Sequence, residues 1–202
     1  MEEMLLSDHY PNGQTKQTYR MIDGRLEGEV CLYSPDGILL ERAHFRSGNL
    51  NGETVVYDEQ GSITQRAMFK DGVLGGETSL FIGGVLRARL GYVGGKQTGQ
   101  STLYDNAGVL AQRSHYRDGV LHGESVYYDA AGHIVRKAIY EKGLFHGPVC
   151  EYFISGKLRE VAMYRHNKLE GEMLRYTEDG KVKERLFFQS GKQVAWPPVH
   201  LR

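Results

Sequence analysis

The sequence has 202 residues, a formal net charge of zero at neutral pH and a hydrophobic content of 40%. These values are typical of an ordinary folded domain, and the lack of a basic excess argues against a nucleic-acid-binding protein. Glycine stands out, because its 26 copies are well above the usual share of about 7%. We therefore expect a folded chain with many tight turns and no nucleic-acid partner.

The first residues of the chain contain neither a basic start nor a long apolar run. They predict neither a signal peptide nor a membrane-spanning segment. The expected compartment is the cytoplasm by default, or the periplasm if a leader has been removed from a longer precursor.

Glycine recurs along the chain with a nearly fixed period of 24 residues, broken by one step of 23. This ladder contains Gly13, Gly37, Gly61, Gly84, Gly108, Gly132, Gly156 and Gly180. A second glycine ladder of the same period runs between its members, and self-similarity of this kind indicates a repeat architecture. We predict an N-terminal segment over 1–9, a single repeat domain over 10–193 and a C-terminal tail over 194–202.

Each repeat contains two turn signals about 12 residues apart, a spacing that suits short strands joined by tight turns. The first signal, Asp-x-x-Gly as in Asp58 to Gly61, predicts a type I turn with a glycine bulge. The second, such as Asp71-Gly72, predicts a two-residue hairpin turn. In one repeat this signal is His166-Asn167, where asparagine takes the place of glycine because it also tolerates positive φ.

The turns and strands together predict an all-β fold, because no segment shows a helical period. We expect an elongated antiparallel β-meander of about eight hairpin repeats, forming a curved open sheet with a concave groove. The tail at Trp196-Pro197-Pro198 breaks the pattern and is expected to cover the last edge strand.

Charged residues also recur, with a basic column on one face that continues at Lys137 and an acidic column that includes Glu172. A two-residue turn at Asp71-Gly72 places Arg66 opposite Glu77, and the same count sets Arg42 against Glu53. We interpret these as cross-strand charge pairs, with a phosphate- or lipid-binding stripe as the alternative. The count sets Lys137 against Pro148 and Glu172 against Val161. The two turn types carry the strand faces consistently only if a bulge intervenes, so the register stays open.

The recurring unit resembles the MORN repeat, and in particular its bacterial variant, with the signature aromatic-x-x-Gly-x-Leu-x-Gly-Glu. The segments that carry the likeness are Phe69 to Glu77 and Tyr116 to Glu124. The chain departs from the signature at Gln97, Gln100, Pro148 and Asn167. The resemblance implies the repeat fold over nearly the whole chain. It also points to the YwqK-like antitoxins, some of which are similar to immunity proteins against contact-dependent or type VI secretion toxins.

The sequence contains no residues at catalytic spacing, so we predict no enzyme, no cofactor and no metal. His122 and His146 share a column one repeat apart, without the nearby cysteine or carboxylate ligands typical of zinc sites. Repeat arrays bind through their surfaces, and residues that the repeat does not require are the best candidates for partner contacts. These candidates are His122, Tyr127, Lys137, Phe145, His146, Phe153, His166 and Glu172. The alternative is ordinary variation between repeats.

The predicted function is that of a non-enzymatic antitoxin or immunity protein. It would bind a cognate bacterial toxin or secreted effector, for example a phospholipase, as a monomer in a 1:1 complex and occlude its active site. The alternative is a MORN-type scaffold on anionic membrane lipids or other proteins, although the zero net charge argues against lipid binding.

Overall fold

A computed structural model describes residues 4–195. They form strands and turns without a helix, which confirms the predicted all-β class, and they contain no helical segment that could cross a membrane. The chain falls into two compact units, which we call unit 1 (Met1–Gln97) and unit 2 (Thr98–Arg202). The predicted cover by Trp196-Pro197-Pro198 lies outside the described residues.

The strands of unit 1 are β1 (Met4–His9), β2 (Thr15–Ile22), β3 (Arg25–Leu26), β4 (Gly28–Tyr33), β5 (Leu39–Arg46), β6 (Asn49–Tyr57), β7 (Ile63–Lys70), β8 (Val73–Leu74), β9 (Gly76–Ile82), β10 (Val85–Val93) and β11 (Lys96–Gln97). The strands of unit 2 are β12 (Gly99–Tyr104), β13 (Leu110–Arg117), β14 (Val120–Tyr128), β15 (Ile134–Glu141), β16 (Leu144–Tyr152), β17 (Leu158–Arg165), β18 (Lys168–Tyr176), β19 (Val182–Gln189) and β20 (Lys192–Val194).

Strands that follow one another along the chain pair antiparallel within each unit, which confirms the predicted meander of hairpins. In unit 1, β8 and β9 both pair with β7, so the short strand is the first part of an interrupted strand. Strand β1, inside the segment that we separated from the repeats, pairs with β2.

The two predicted kinds of turn are both present. At Asp71-Gly72 both central residues have positive φ, 50° and 78°, which is the two-residue geometry that suits the twist of a hairpin. At the first kind of turn, Asp58 Oδ1 accepts hydrogen bonds from the backbone N–H groups of Gln60 and Ser62, at 3.0 and 2.8 Å. This side chain therefore caps the turn that ends at Gly61.

One turn departs from the predicted alternation. Gly83 and Gly84 both have positive φ and form a two-residue turn between Ile82 and Val85, where the other repeats have the longer turn. The shorter turn accounts for the single step of 23 residues in the glycine ladder.

The predicted register opposite the charged columns is wrong by two residues. Arg42 lies opposite Val55 where we expected Glu53, and Arg66 lies opposite Ser79 where we expected Glu77. The cause is a bulge at the second-ladder glycine. At Gly52, with φ of 120°, strand β6 places three residues across from His44 alone. A shift of two residues preserves the face on which each side chain lies, so the predicted columns survive it.

One face of the strands carries a buried column of mostly small residues and is called the alanine face. Its buried residues are Ala43, Thr54, Ala67, Thr78 and Ala88 in unit 1, and Ser101, Ser114, Ser125, Ala138, Val149, Ala162 and Met173 in unit 2. Small side chains allow the long residues that flank the column to close over it, so this column forms the core of each unit.

The opposite face carries the basic column and is called the arginine face. Val55 is 1% exposed there, with Arg42 and Arg66 as its cross-strand neighbours. The methylene stems of arginine side chains can cover apolar surface while their charges stay in water. The basic column therefore has a structural role beside Val55.

The charge pairs of the arginine face form despite the shifted register, because each acid lies diagonal to its base. The pairs are Arg42–Glu53 at 3.8 Å, Arg66–Glu53 at 3.2 Å, Arg89–Glu77 at 3.9 Å, Arg113–Glu124 at 3.9 Å and Arg185–Glu172 at 2.9 Å. Glu172 thus has a basic partner, and the expectation that it faces Val161 is wrong, since Val161 lies opposite Leu174. Lys137 lies opposite Cys150 and not Pro148, for the same reason.

Candidate partner-binding surface

A row of large polar side chains crosses the alanine face of unit 2, and we call it the polar row. Cross-strand pairing puts its members side by side in the order Tyr127, Arg136, Glu151, Glu160, Arg175 and Glu184. Each member comes from a different strand, β14 to β19. Because the row follows the hydrogen-bonding direction, neighbouring side chains lie close enough for direct contact.

An aromatic cluster lies at the Tyr127 end of the polar row. The Tyr127 hydroxyl is 3.0 Å from that of Tyr140, and the Phe145 ring lies between the rings of Tyr140 and Tyr164, with centroids 4.7 and 5.4 Å away. Burial, followed by the hydrogen bond with Tyr127, raises the pKa of Tyr140 far above its usual value. Burial and this hydrogen bond both favour the neutral hydroxyl within the cluster.

Arg136 joins this cluster to the charged part of the row. Its guanidinium carbon lies 5.1 Å from the centre of the Phe145 ring and 5.9 Å from that of Tyr127, within the range of cation–π attraction. The Arg136 Nε atom is buried and makes no hydrogen bond. The cation is thus held mainly by aromatic faces.

The second part of the row is a network of ion pairs. Arg175 contacts both Glu160 and Glu184 at 2.7 Å, and Arg159 bonds Glu151. The hydrogen bonds with Glu160 and then Glu184 raise the pKa of Arg175 above its usual value. Glu151 and Glu160 are direct cross-strand neighbours, and like charges in that arrangement repel each other. The two arginines offset this repulsion.

A depression of about 300 Å³ opens beside this network. Phe153 forms part of its wall, together with Glu151, Arg159, Glu160 and Arg175. Phe153 begins the turn that ends at Gly156, at the position where Asp58 caps the turn of unit 1. The depression therefore combines an aromatic ring with charges of both signs.

The eight residues predicted from the sequence separate into groups. Tyr127 and Phe145 belong to the aromatic cluster, and Phe153 lines the depression. Lys137 and Glu172 lie on the arginine face, and the Lys137 ammonium is 6.0 Å from the centre of the Tyr152 ring.

The three predicted histidines lie away from the polar row. His146 and His166 meet edge to face with ring centroids 4.9 Å apart, whereas His122 is half-buried in the column of His146, one repeat earlier. The structure thus brings together two subsets of the predicted residues and leaves His122, Lys137 and Glu172 apart from both.

Sequence reasoning missed Arg136, Glu151, Arg159, Glu160 and Arg175. The available signal was a comparison of repeats in the correct register. Unit 1 carries Leu32, Val56 and Leu80 at the positions that correspond to Tyr127, Glu151 and Arg175. The bulge has to be known before cross-strand neighbours can be assigned, so the sequence alone did not show that these polar residues lie next to one another.

A family model described as MORN repeat variant matches residues 26–47, 121–142 and 169–190. One match lies in unit 1 and two in unit 2, and each covers a hairpin with the longer turn at its centre. A search of curated proteins gave no match.

Among solved structures, the GtfA/B complex bound to UDP and GlcNAc is 15% identical over 53% of this chain and 21% of its own, with a TM-score of 0.25. The present chain thus spans about a fifth of that protein, and an agreement this low carries no structural or functional weight. The three family matches, placed on hairpins that recur through the described strands, support the assignment of this chain as a MORN-repeat protein of the variant type.

Proposed function

We propose that this chain is an antitoxin or immunity protein that binds a toxin or secreted effector through unit 2 and covers its active site. The recognition surface is the polar row with the depression beside Phe153. The single observation that carries the proposal is the replacement of a turn-capping aspartate by Phe153, next to the strongly exposed Ile154.

The turn at Phe153 lacks the side-chain cap found at most of its counterparts; the turn at Tyr10 lacks it too, but there the hydroxyl donates to the Tyr33 carbonyl at 2.8 Å. At Asp58, Asp105 and Asp129 the carboxylate accepts two backbone N–H bonds. The Phe153 turn keeps the backbone hydrogen bonds of the hairpin, but its side chain cannot accept any. An aspartate would serve the fold better there, so the aromatic ring is more readily explained by contact with a partner.

Ile154 strengthens this reading, because it is 72% exposed at the tip of the same turn. A single exposed apolar residue is common on protein surfaces. Here it adjoins Phe153 and a depression rimmed by arginines, and aromatic, arginine and apolar side chains together are typical of the energetic centre of protein interfaces.

The polar row also fits a protein partner better than a lipid surface. Its ion pairs are partly exposed and carry both signs, with Glu151 and Arg159 in one pair and Arg175 between two acids. Such a pattern can exchange its internal pairs for complementary charges on a partner, which favours specificity. On the arginine face, Arg42, Arg66 and Arg113 have acidic neighbours, so that column offers little net attraction to anionic lipid.

The identity of the partner class is drawn from the resemblance to YwqK-like antitoxins and type VI immunity proteins. An inhibitor of an effector need only exclude the substrate, which requires a stable surface and no chemistry. A phospholipase effector is one class that this mode of inhibition suits, since covering its lipid-facing site would block its access to membrane.

The test is co-expression with the product of the neighbouring open reading frame. We expect the two proteins to co-purify in a 1:1 ratio and this chain to rescue cells from the toxicity of its neighbour. The double substitution F153D/I154E should weaken the complex by at least about tenfold, because it removes the apolar anchor from the interface. Since F153D restores the residue found in other turns, the fold should be retained.

The matched control is Glu59→Ala, at the tip of the equivalent capped turn in unit 1. It should leave both complex formation and rescue unchanged. Absence of a complex and of rescue with the unmodified chain would refute the antitoxin proposal. A complex that survives F153D/I154E would refute the placement of the interface at the Phe153 turn.

A further inference from the structure

A cluster of three ligand-type side chains lies at the hairpin ends of unit 2, away from the polar row. It consists of Glu141 at the end of β15, His146 in β16 and His166 in the turn between β17 and β18. We propose that these three residues bind a divalent transition-metal ion, with Zn²⁺ as the best-matched probe. This site is independent of the proposed toxin interface.

The distances within the cluster are close to those of a metal site. One ligand atom from each residue can be chosen so that all three lie within 4.8 Å of one another. His146 Nδ1 is already 3.4 Å from Glu141 Oε2. Zinc bonds of about 2.0–2.2 Å in a tetrahedral site place ligand atoms roughly 3.4 Å apart. The three ligand atoms therefore need only a small inward adjustment, and His166 is exposed at a turn where its ring can move.

His146 carries a second observation in favour of a ligand. Its Nδ1 atom is shielded from solvent and makes no hydrogen bond, although the Glu141 carboxylate is near. Buried polar atoms without partners are uncommon in folded proteins. A metal ion between this nitrogen and the carboxylate would provide the missing partner.

The turn that carries His166 is fixed next to His146 by Asn167, one of the departures from the repeat signature. Asn167 Oδ1 accepts a hydrogen bond from the Phe145 N–H at 2.7 Å, and the Asn167 N–H donates to the Phe145 carbonyl at 3.0 Å. These two bonds tie the turn to the residue that precedes His146. The backbone therefore holds His166 ready for binding, which limits the entropy lost when the ion binds.

Other repeats do not offer this set of ligands. At the positions of Glu141 and His166, the preceding repeat has Arg117 and Lys142 beside His122. Two cations there would repel a metal ion. The following repeat has Arg165 and Ser190 beside Glu170, whose carboxylate accepts the Ser190 N–H. The cluster thus has a carboxylate, Glu141, at a position where the neighbouring repeats have arginine. It also has histidines at two different repeat positions, His146 and His166.

The chemistry of the donors selects the class of ion. Imidazole nitrogens suit zinc, copper, nickel and iron, whereas Ca²⁺ and Mg²⁺ require mostly oxygen ligands. Two histidines and one carboxylate also leave a fourth tetrahedral position for water.

The experiment is isothermal titration of the full chain with ZnCl₂ and, separately, with CaCl₂. The variants E141R and H166S each introduce a residue that the chain already uses at the equivalent position, Arg117 and Ser190, so the fold should be retained. We expect one Zn²⁺ per chain and no Ca²⁺ binding, and each variant should weaken Zn²⁺ binding by at least about tenfold. The matched control, H122N, should bind Zn²⁺ as the unmodified chain does.

Retention of full Zn²⁺ affinity in either E141R or H166S would overturn the proposal, and so would an equal loss in H122N. Binding of Ca²⁺ at the same site would also overturn it. Circular dichroism of each variant establishes that a loss of binding comes from a lost ligand and not from unfolding. Toxin neutralisation does not enter this measurement, so the two proposals can fail separately.

Discussion

Unit 1 and unit 2 share one structural frame but differ in what they display on it. The hairpin turns have the same geometry, with φ of 50° and 78° at Asp71-Gly72 and of 51° and 85° at Asp118-Gly119. The buried column contains small residues in both, and Ala67 and Ala138 are 1% and 0% exposed. These positions satisfy the needs of the fold, which are the same in every repeat.

The row that crosses the alanine face differs between the units. Unit 1 carries Leu32, Glu41 and Val56 where unit 2 carries Tyr127, Arg136 and Glu151. The unit 1 hairpins fold with aliphatic residues at two of these three positions, so the fold does not require Tyr127 and Glu151 in unit 2. Positions shared by the repeats therefore serve the fold, and the proposed function depends on positions where equivalent residues differ in chemistry.

The strongest test of the shared frame is the bulge glycine. Gly52 has a φ of 120° and Gly147 of 118°, and an added Cβ would lie 3.2 Å from His44 Cβ in the first case and 3.4 Å from Ile139 Cβ in the second. Alanine at either position should lower the free energy of unfolding by about 1–3 kcal/mol, because the backbone is strained and the neighbour must move. Urea unfolding of G52A and G147A measures this loss.

The control for these variants is Gly75→Ala, since Gly75 has no positive φ and nothing within 4 Å of an added Cβ. Its unfolding free energy should stay within about 1 kcal/mol of the unmodified chain. A loss in G52A without one in G147A would show that the bulge supports the fold in only one unit, contrary to the common frame.

The buried column gives the next largest effect. Leucine at Ala67 or Ala138 adds volume to a position that has no free surface, and overpacking of this kind costs about 1–3 kcal/mol. Chemical denaturation should show a similar loss for A67L and A138L. Val73→Leu, at a residue that is 46% exposed, is the matched control and should change stability little. Unequal losses would mean that the two columns are packed differently.

Much of the frame could be predicted from the sequence because it depends on local chemistry. Asp-x-x-Gly and Asp-Gly specify their turns through side-chain caps and positive φ, and both signals are strong. The face of each column follows from even spacing alone. The prediction failed at Gly84, where a glycine of the ladder belongs to the two-residue turn Gly83-Gly84, since glycine occurs in both kinds of turn.

The candidate surface was harder to predict, because it depends on register across strands. The bulge at Gly147 shifts the pairing by two residues, so a count from the turn sets Lys137 against Pro148 and not Cys150. Phe145 and Tyr127 could be named as departures from their columns, but Arg136 could not, because its position holds a polar residue in other repeats as well. Glu141 became part of a cluster only when the turn at His166 was placed beside it.

Exchange of polar-row residues between the units tests whether these residues of unit 2 are needed for binding the proposed partner. E151V and R175L give unit 2 the residues found at Val56 and Leu80 of unit 1. The ion pairs that they remove are partly exposed, so the unfolding midpoint should stay near that of the unmodified chain. The affinity for the proposed toxin partner should fall by at least about tenfold in a binding titration. The reverse exchange in unit 1, V56E, is the control and should leave the affinity unchanged.

The smallest expected effect concerns the capped turn at Asp129 and the uncapped turn at Phe153. The backbone N–H of His133, more than any other group, lowers the pKa of the Asp129 carboxyl. A group with a lowered pKa in the folded state adds stability above its unfolded pKa of about 3.9, and this contribution is lost as the pH falls towards the folded pKa. F153D should introduce another such group, so acid should lower its melting temperature slightly more than that of the unmodified chain. A carboxyl titration followed by NMR should find depressed pKa values at both aspartates in F153D. A new aspartate whose carboxylate accepts no backbone N–H bond would show that the turn of Phe153 differs in its backbone from the capped turns, and the turn itself would then explain the loss of the aspartate.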